Sequence, residues 1–224
     1  MLKNRKILTA LLLTLLATGF MLFIESALKP GYFLKSLLKL TMFAGSILLY
    51  SFINRLDPFN LINLNRNKPA KWLIIAVVFA YAGIITAYLI LRNYIDLSSI
   101  RDSLLNKEGL TRNNFIFIFG YIILINSFLE EAFFRGFIVN VFKREGYLTF
   151  GSLYSAVLFA IYHLGIVSTW FNPFILILCI GGLAIVGLFL QYISQSQKNL
   201  AASWLVHASA NLAINTIGTI MLFS

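Results

Sequence analysis

Residues 126–135 read Asn126-Ser127-Phe128-Leu129-Glu130-Glu131-Ala132-Phe133-Phe134-Arg135, and they lie inside an apolar run that extends over 115–142. A helix needs roughly 20 predominantly apolar residues to cross a bilayer. This run is long enough, yet two carboxylates and a guanidinium sit in its middle. An ionisable group at the bilayer centre costs about 2.5–3.5 kcal/mol on insertion scales. Such groups persist when they face partners inside a bundle rather than lipid. The stretch therefore predicts a membrane helix with one functional, inward face.

The rest of the chain agrees. It has 224 residues, 59% hydrophobic and 12% charged, with a mean hydropathy of +0.85. Soluble domains carry about 45–50% apolar and about 25% charged residues. A soluble globule of this length could not hide so much apolar surface, so the solvent is lipid. Apolar stretches at 7–24, 32–53, 72–91, 115–142, 149–167, 171–193 and 200–223 predict an all-α, polytopic transmembrane bundle of about seven helices, six to eight at the limits. Lys3, Arg5 and Lys6 before 7–24 resemble a signal peptide. That stretch exceeds the usual apolar core of about 7–15 residues, and Glu25 follows where a small residue is wanted, so we read a retained helix. Breakers and charges fall between the stretches: Lys29-Pro30-Gly31, the segment 55–71 with Asp57-Pro58 and Lys68-Pro69, a mixed-charge surface segment over 92–112, Lys143 to Gly146, and Asn172-Pro173.

Eighteen Lys and Arg face eight Asp and Glu, a net charge of +10. The basic residues cluster between apolar runs, so they orient the chain in a membrane and do not form a nucleic-acid surface. With the N-terminus inside, the inner segments hold ten: Lys3, Arg5, Lys6, Arg55, Arg66, Lys68, Lys71, Lys143, Arg144 and Lys198. The outer loops hold seven: Lys29, Lys35, Lys39, Arg92, Arg101, Lys107 and Arg112. This bias predicts a multi-pass cell-membrane protein with a cytoplasmic N-terminus, in contact with lipid and without nucleic acid. The single cysteine, Cys179, excludes an internal disulfide and a cysteine-based metal cluster.

Of the eight acidic residues, Asp57, Asp96, Asp102, Glu108 and Glu145 fall in loops, and Glu25 ends a helix. Glu130 and Glu131 alone lie within a span, with Arg135 as the one basic residue well inside one. Both histidines, His163 and His207, also lie in apolar stretches. Glu131 and Arg135 are i,i+4 and can pair, whereas Glu130 is rotated about 100° from Glu131. His207 and Asn211 share a face, and Phe159 precedes His163 by one turn. Five ionisable groups on three helices should converge on one polar, water-accessible pocket enclosed by the last four helices. Individually, each feature has a plainer reading: a buried structural ion pair, or interhelical hydrogen bonds from a lone histidine or asparagine.

Glu130-Glu131-x-x-x-Arg135, Phe159-x-x-x-His163 and His207-x-x-x-Asn211, in that order on successive membrane helices, resemble the CPBP family, which contains the CAAX-prenyl endopeptidases and the bacterial Abi proteins. The resemblance covers about half of the chain, and it divides the sequence into N-terminal helices and loops over 1–112 and a catalytic core over 113–224. It implies an intramembrane endopeptidase that acts on a hydrophobic or membrane-associated peptide, either prenylated or a leader or signal peptide. Glu130, partly desolvated, could take a proton from water. His163 would orient that water, His207 and Asn211 could donate to the oxyanion, and Glu131 with Arg135 reads as an orienting pair, although the division of roles between the two glutamates stays open. Glu130, His163 and His207 could instead hold zinc or another divalent ion with an open position. Two other classes also fit the same residues: a non-catalytic membrane partner, such as a bacteriocin-immunity protein or a sensor-kinase regulator, and a small proton-coupled transporter.

Overall fold

The computed structural model describes residues 2–64, 70–107 and 109–223. Arg66, Lys68, Pro69 and Glu108, which the sequence assigns to loops, lie outside the described residues, as do the side chains of Lys3 and Lys107. The described residues form helices and no strands. Seven helices are long and apolar enough to cross a membrane: α1 (Asn4–Leu28), α2 (Tyr32–Asn54), α4 (Trp72–Leu91), α6 (Phe115–Arg144), α7 (Leu148–Val167), α8 (Pro173–Gln197) and α9 (Leu200–Phe223). Two short helices join the set, α3 (Pro58–Ile62) and α5 (Leu97–Asp102). Each expected stretch is one long helix. Helix satisfies every backbone N–H and C=O within its own segment, as the hydrocarbon region of a bilayer requires.

The punctuation between stretches sets the helix ends. Asp57 accepts a hydrogen bond from the Phe59 backbone N–H at 3.0 Å, with Pro58 in the first turn of α3. Asn172 does the same for Ile175 at 3.0 Å, ahead of Pro173 in α8. Lys29, Arg55 and Lys198 take left-handed conformations, with φ of 47°, 52° and 50°, and so stop α1, α2 and α8. The segment over 92–112 holds a helix, as its charge pattern suggests, but is not wholly at the surface. Ile100 and Leu110 are buried, and Leu110 packs with Phe119 and Leu222.

The inner half of α6 is the centre of the bundle. Residues 129–142 are buried on every side, as expected for a helix that is apolar nearly all round. Its aromatic residues form the core: Phe43 of α2 stacks on Phe133 with ring centroids 4.1 Å apart, and Phe159 of α7 meets Phe134 edge-on at 5.3 Å. Two wide, i→i+5 turns at Ile122–Asn126 and Ala132–Ile138 flank the single α-turn Ser127–Glu131. Wide turns of this kind re-aim side chains and often occur at functional sites. Small residues let neighbouring helices approach closely. A Cβ on Gly187 of α8 would lie 3.1 Å from Ala156 Cα.

Lys35 and Lys39 correct the sequence reading. They are not outer-loop residues but lie within α2, on the buried stripe that continues through Phe43, Ile47 and Tyr50. Each lysine is tolerated because it has a counter-charge: Lys35 pairs with Glu25 of α1 at 3.0 Å and Lys39 with Glu130 of α6 at 2.9 Å. Arg135 is thus not alone as a buried basic residue, and Glu25 is buried rather than merely terminal.

Candidate active site

Glu130 and Glu131 project from the α-turn of α6 in different directions, as their 100° separation requires. Glu130 is 2% exposed and Glu131 is fully buried. Glu131 Oε1 lies 3.0 Å from Arg135 Nη1 and accepts a hydrogen bond at 2.9 Å from His207 Nδ1 of α9. Arg135 is itself held from two sides. Its guanidinium lies 4.2 Å from the centroid of the Phe159 ring, and Nη2 is 3.4 Å from the Gly187 carbonyl. Glu131 therefore joins a fixed guanidinium to an imidazole.

Glu130 has two unlike oxygens. Oε1 accepts from Lys39 Nζ at 2.9 Å and from Asn126 Nδ2 at 3.1 Å, and Lys39 also donates to Asn126 Oδ1 at 2.6 Å. Oε2 is buried and accepts no hydrogen bond from the described residues. It lies 3.8 Å from His163 Nε2 and 3.7 Å from His207 Nε2. His163 is fixed by its own helix, because Nδ1–H donates to the Phe159 carbonyl at 2.7 Å. Both histidines thus commit Nδ1 to an acceptor and turn Nε2 toward Glu130. The Phe159 ring lies beside both imidazoles, 4.4 Å from His163 and 5.9 Å from His207. The His163 side chain is the most open of the four acid and imidazole groups, at 17% exposure.

Glu130, Glu131, Arg135, Phe159, His163 and His207 therefore meet in one cluster. Asn211, one turn beyond His207, donates instead to the Ile122 carbonyl at 3.3 Å, in the seam between α6 and α9. The sequence reading missed Lys39 and Asn126. Asn126 lies four residues before Glu130, and Lys39 falls inside the apolar stretch 32–53, at i,i+4 spacing from Phe43. Treating that lysine as an interior charge rather than a loop charge would have found it.

The charges within the cluster cancel: Lys39 and Arg135 offset Glu130 and Glu131. Among the described residues, no group of three His, Cys, Asp or Glu is arranged to hold a metal ion. A dication would also meet the Lys39 ammonium, already on the same carboxylate. As placed, these residues do not fit a bound dication.

An all-helical multi-pass bundle with buried carboxylates facing two imidazoles defines a membrane protein built around internal polar chemistry. Residues 112–213 match the family model described as type II CAAX prenyl endopeptidase Rce1-like, and the resemblance to the CPBP family is borne out over that stretch. The match covers a little under half of the chain and contains all three motifs. No match was found among curated proteins or among solved structures.

Proposed function

We propose that this protein is an intramembrane endopeptidase in which Glu130 activates water against a peptide bond of a hydrophobic, membrane-associated substrate. The observation that carries the reading is the asymmetry of Glu130: one oxygen is tied to Lys39 and Asn126, and the other faces two imidazole Nε2 atoms at 3.8 and 3.7 Å. Two polar atoms at that separation can share a water at about 2.8 Å from each. A water there gives one hydrogen to Glu130 Oε2 and the other to His163 Nε2, and its lone pair is free to attack. The match of residues 112–213 to a peptidase family model supports the same chemistry.

The steps follow from these positions. The water oxygen adds to the scissile carbonyl carbon while Glu130 takes a proton. The carbonyl oxygen becomes an oxyanion. His207, held through Nδ1 by Glu131, is the group placed beside that oxyanion, and it donates from Nε2 once it has taken a proton from water, which gives the otherwise neutral cluster a charge of +1 at that stage. Glu130 then passes its proton to the departing nitrogen, the C–N bond breaks, and a carboxylic acid and an amine leave. Glu131 and Arg135 orient His207 and do not touch the substrate.

The substrate class follows from the surroundings. A cluster this deep within a lipid-facing bundle meets substrates that partition into the membrane. A prenylated C-a-a-X terminus and a leader or signal peptide are the two candidate chemistries. With Lys35 and Lys39 removed from the outer loops, the basic count is ten inside against five outside, which favours an N-terminus on the cytoplasmic side of the cell membrane.

The test uses the purified full chain in proteoliposomes with two internally quenched probes, a farnesylated peptide ending in C-a-a-X and a hydrophobic leader-type peptide. The wild type is expected to cleave at least one. Glu130→Gln is expected to fold, with a lowered melting temperature because Lys39 loses its counter-charge, and to lose cleavage. Retention of cleavage by that variant, or no cleavage of either probe by the wild type, overturns the reading.

A further inference from the structure

We propose that Lys39, outside the family-matched segment, is a positioning residue for the carboxylate of Glu130, and that the catalytic unit therefore includes α2. The proposal rests on the peptidase reading above and names a component that the three motifs do not contain.

Lys39, Asn126 and Glu130 form a closed ring of hydrogen bonds. Lys39 Nζ donates to Glu130 Oε1 at 2.9 Å and to Asn126 Oδ1 at 2.6 Å, while Asn126 Nδ2 donates to the same Glu130 Oε1 at 3.1 Å. Both donors converge on one oxygen. The carboxylate can rotate only by breaking both bonds, so Oε2 stays turned toward His163 and His207. An isolated buried glutamate has no such preference between its two oxygens.

The position of Lys39 is also fixed. One turn along α2, Phe43 stacks on Phe133 at 4.1 Å and 7° and meets Phe134 and Tyr162 edge-on, each at 5.6 Å. Phe133 and Phe134 lie two and three residues after Glu131 in α6, and Tyr162 is the residue before His163 in α7. The Lys39 ammonium lies 4.9 Å over the Tyr162 ring. Thus α2 is clamped to both motif helices beside the motif residues themselves. One turn in the other direction, Lys35 pairs with Glu25 at 3.0 Å and fastens α2 to α1. The family match begins at residue 112, so no residue within it supplies this cation.

A purely structural ion pair is the competing explanation, and Lys35 provides the control. It is an equally buried lysine on the same face of the same helix, bonded to a different glutamate, Glu25. Lys39→Met and Lys35→Met are compared in proteoliposomes with the farnesylated C-a-a-X and leader-type probes. Lys39→Met is expected to lower kcat about 100-fold, the scale of a misplaced reacting group, with KM within about threefold. Lys35→Met is expected to lower the melting temperature while keeping kcat within about threefold of wild type. Alongside this, a melting-temperature cycle of Lys39→Met, Glu130→Gln and the double variant reads the pair without any substrate. Each single change strands a buried charge, so the double variant is expected to melt above both singles.

Equal kcat losses for Lys35→Met and Lys39→Met, or full activity in Lys39→Met when Glu130→Gln is inactive, overturn the proposal and leave the peptidase reading standing. Additive melting shifts in the cycle also overturn it. If the wild type cleaves neither probe, the peptidase reading fails and the positioning role fails with it, whatever the cycle reports about the pair.

Discussion

His207 of α9 gives its Nδ1–H to Glu131 Oε1 of α6 at 2.9 Å, and the same oxygen lies 3.0 Å from Arg135 Nη1. A carboxylate thus sets the orientation of an imidazole whose other nitrogen faces Glu130. In serine hydrolases, a buried carboxylate fixes the tautomer and direction of a histidine in the same way. The arrangement gives the two adjacent glutamates different surroundings: Glu130 faces both imidazole Nε2 atoms, and Glu131 joins His207 to Arg135.

Glu131→Gln keeps the shape of the side chain but can present an amide N–H to His207. We expect kcat to fall by about 10²–10⁴-fold, with a much smaller change in KM, measured by steady-state cleavage of the probe that the wild type accepts. A loss confined to KM would place Glu131 in substrate binding instead.

Arg135 should matter for folding before it matters for chemistry. Arg135→Met leaves Glu131 as an uncompensated buried charge, a change that costs about 3–5 kcal/mol. Arg135→Lys recovers only part of that loss, because a lysine keeps the charge but not the planar contact with Phe159 or the reach to the Gly187 carbonyl. Reversible unfolding in mixed micelles would rank wild type, Lys and Met in that order; equal stability of the Lys and wild-type proteins would contradict it.

Gly165 is where α7 touches the end of α1. An added Cβ would lie 2.7 Å from Glu25 Cβ and 3.2 Å from Leu22 Cδ1. Gly165→Ala should therefore push α1 away from α7 and destabilise the protein by about 1–3 kcal/mol, the usual cost of overpacking. Gly181→Ala on α8 has nothing within 4 Å of the new atom and should leave the melting temperature unchanged or raise it. Similar shifts for the two variants would argue against this packing.

Chelation gives an independent check on the chemistry. The cluster is neutral without a metal and is not arranged to hold one, so dialysis against a strong chelator should leave cleavage at the wild-type rate. Elemental analysis of the active protein should find well under one zinc per chain. Loss of activity on chelation and its return with zinc would transfer the water from Glu130 to a metal.

Much of this protein was already decided by local sequence. Seven apolar stretches became seven long helices because a lipid solvent leaves the backbone few other choices, and Asp57-Pro58 and Asn172-Pro173 began helices where their capping chemistry allows. The convergence of Glu130, Glu131, His163 and His207 was foreseeable on energetic grounds, since ionisable groups within spans must find one another. What the linear chain could not reveal was pairing between distant segments. Lys39 lies inside the stretch 32–53, but its partner is set only by the packing of α2 on α6, where its ammonium meets Glu130, 91 residues away. Similarly, helical spacing puts Asn211 on the face of His207, but only the packing of α9 on α6 sends its amide to the Ile122 carbonyl. Local spacing fixes which side chains share a helix face; which oxygen of a carboxylate remains free is settled by what the neighbouring helices bring to it.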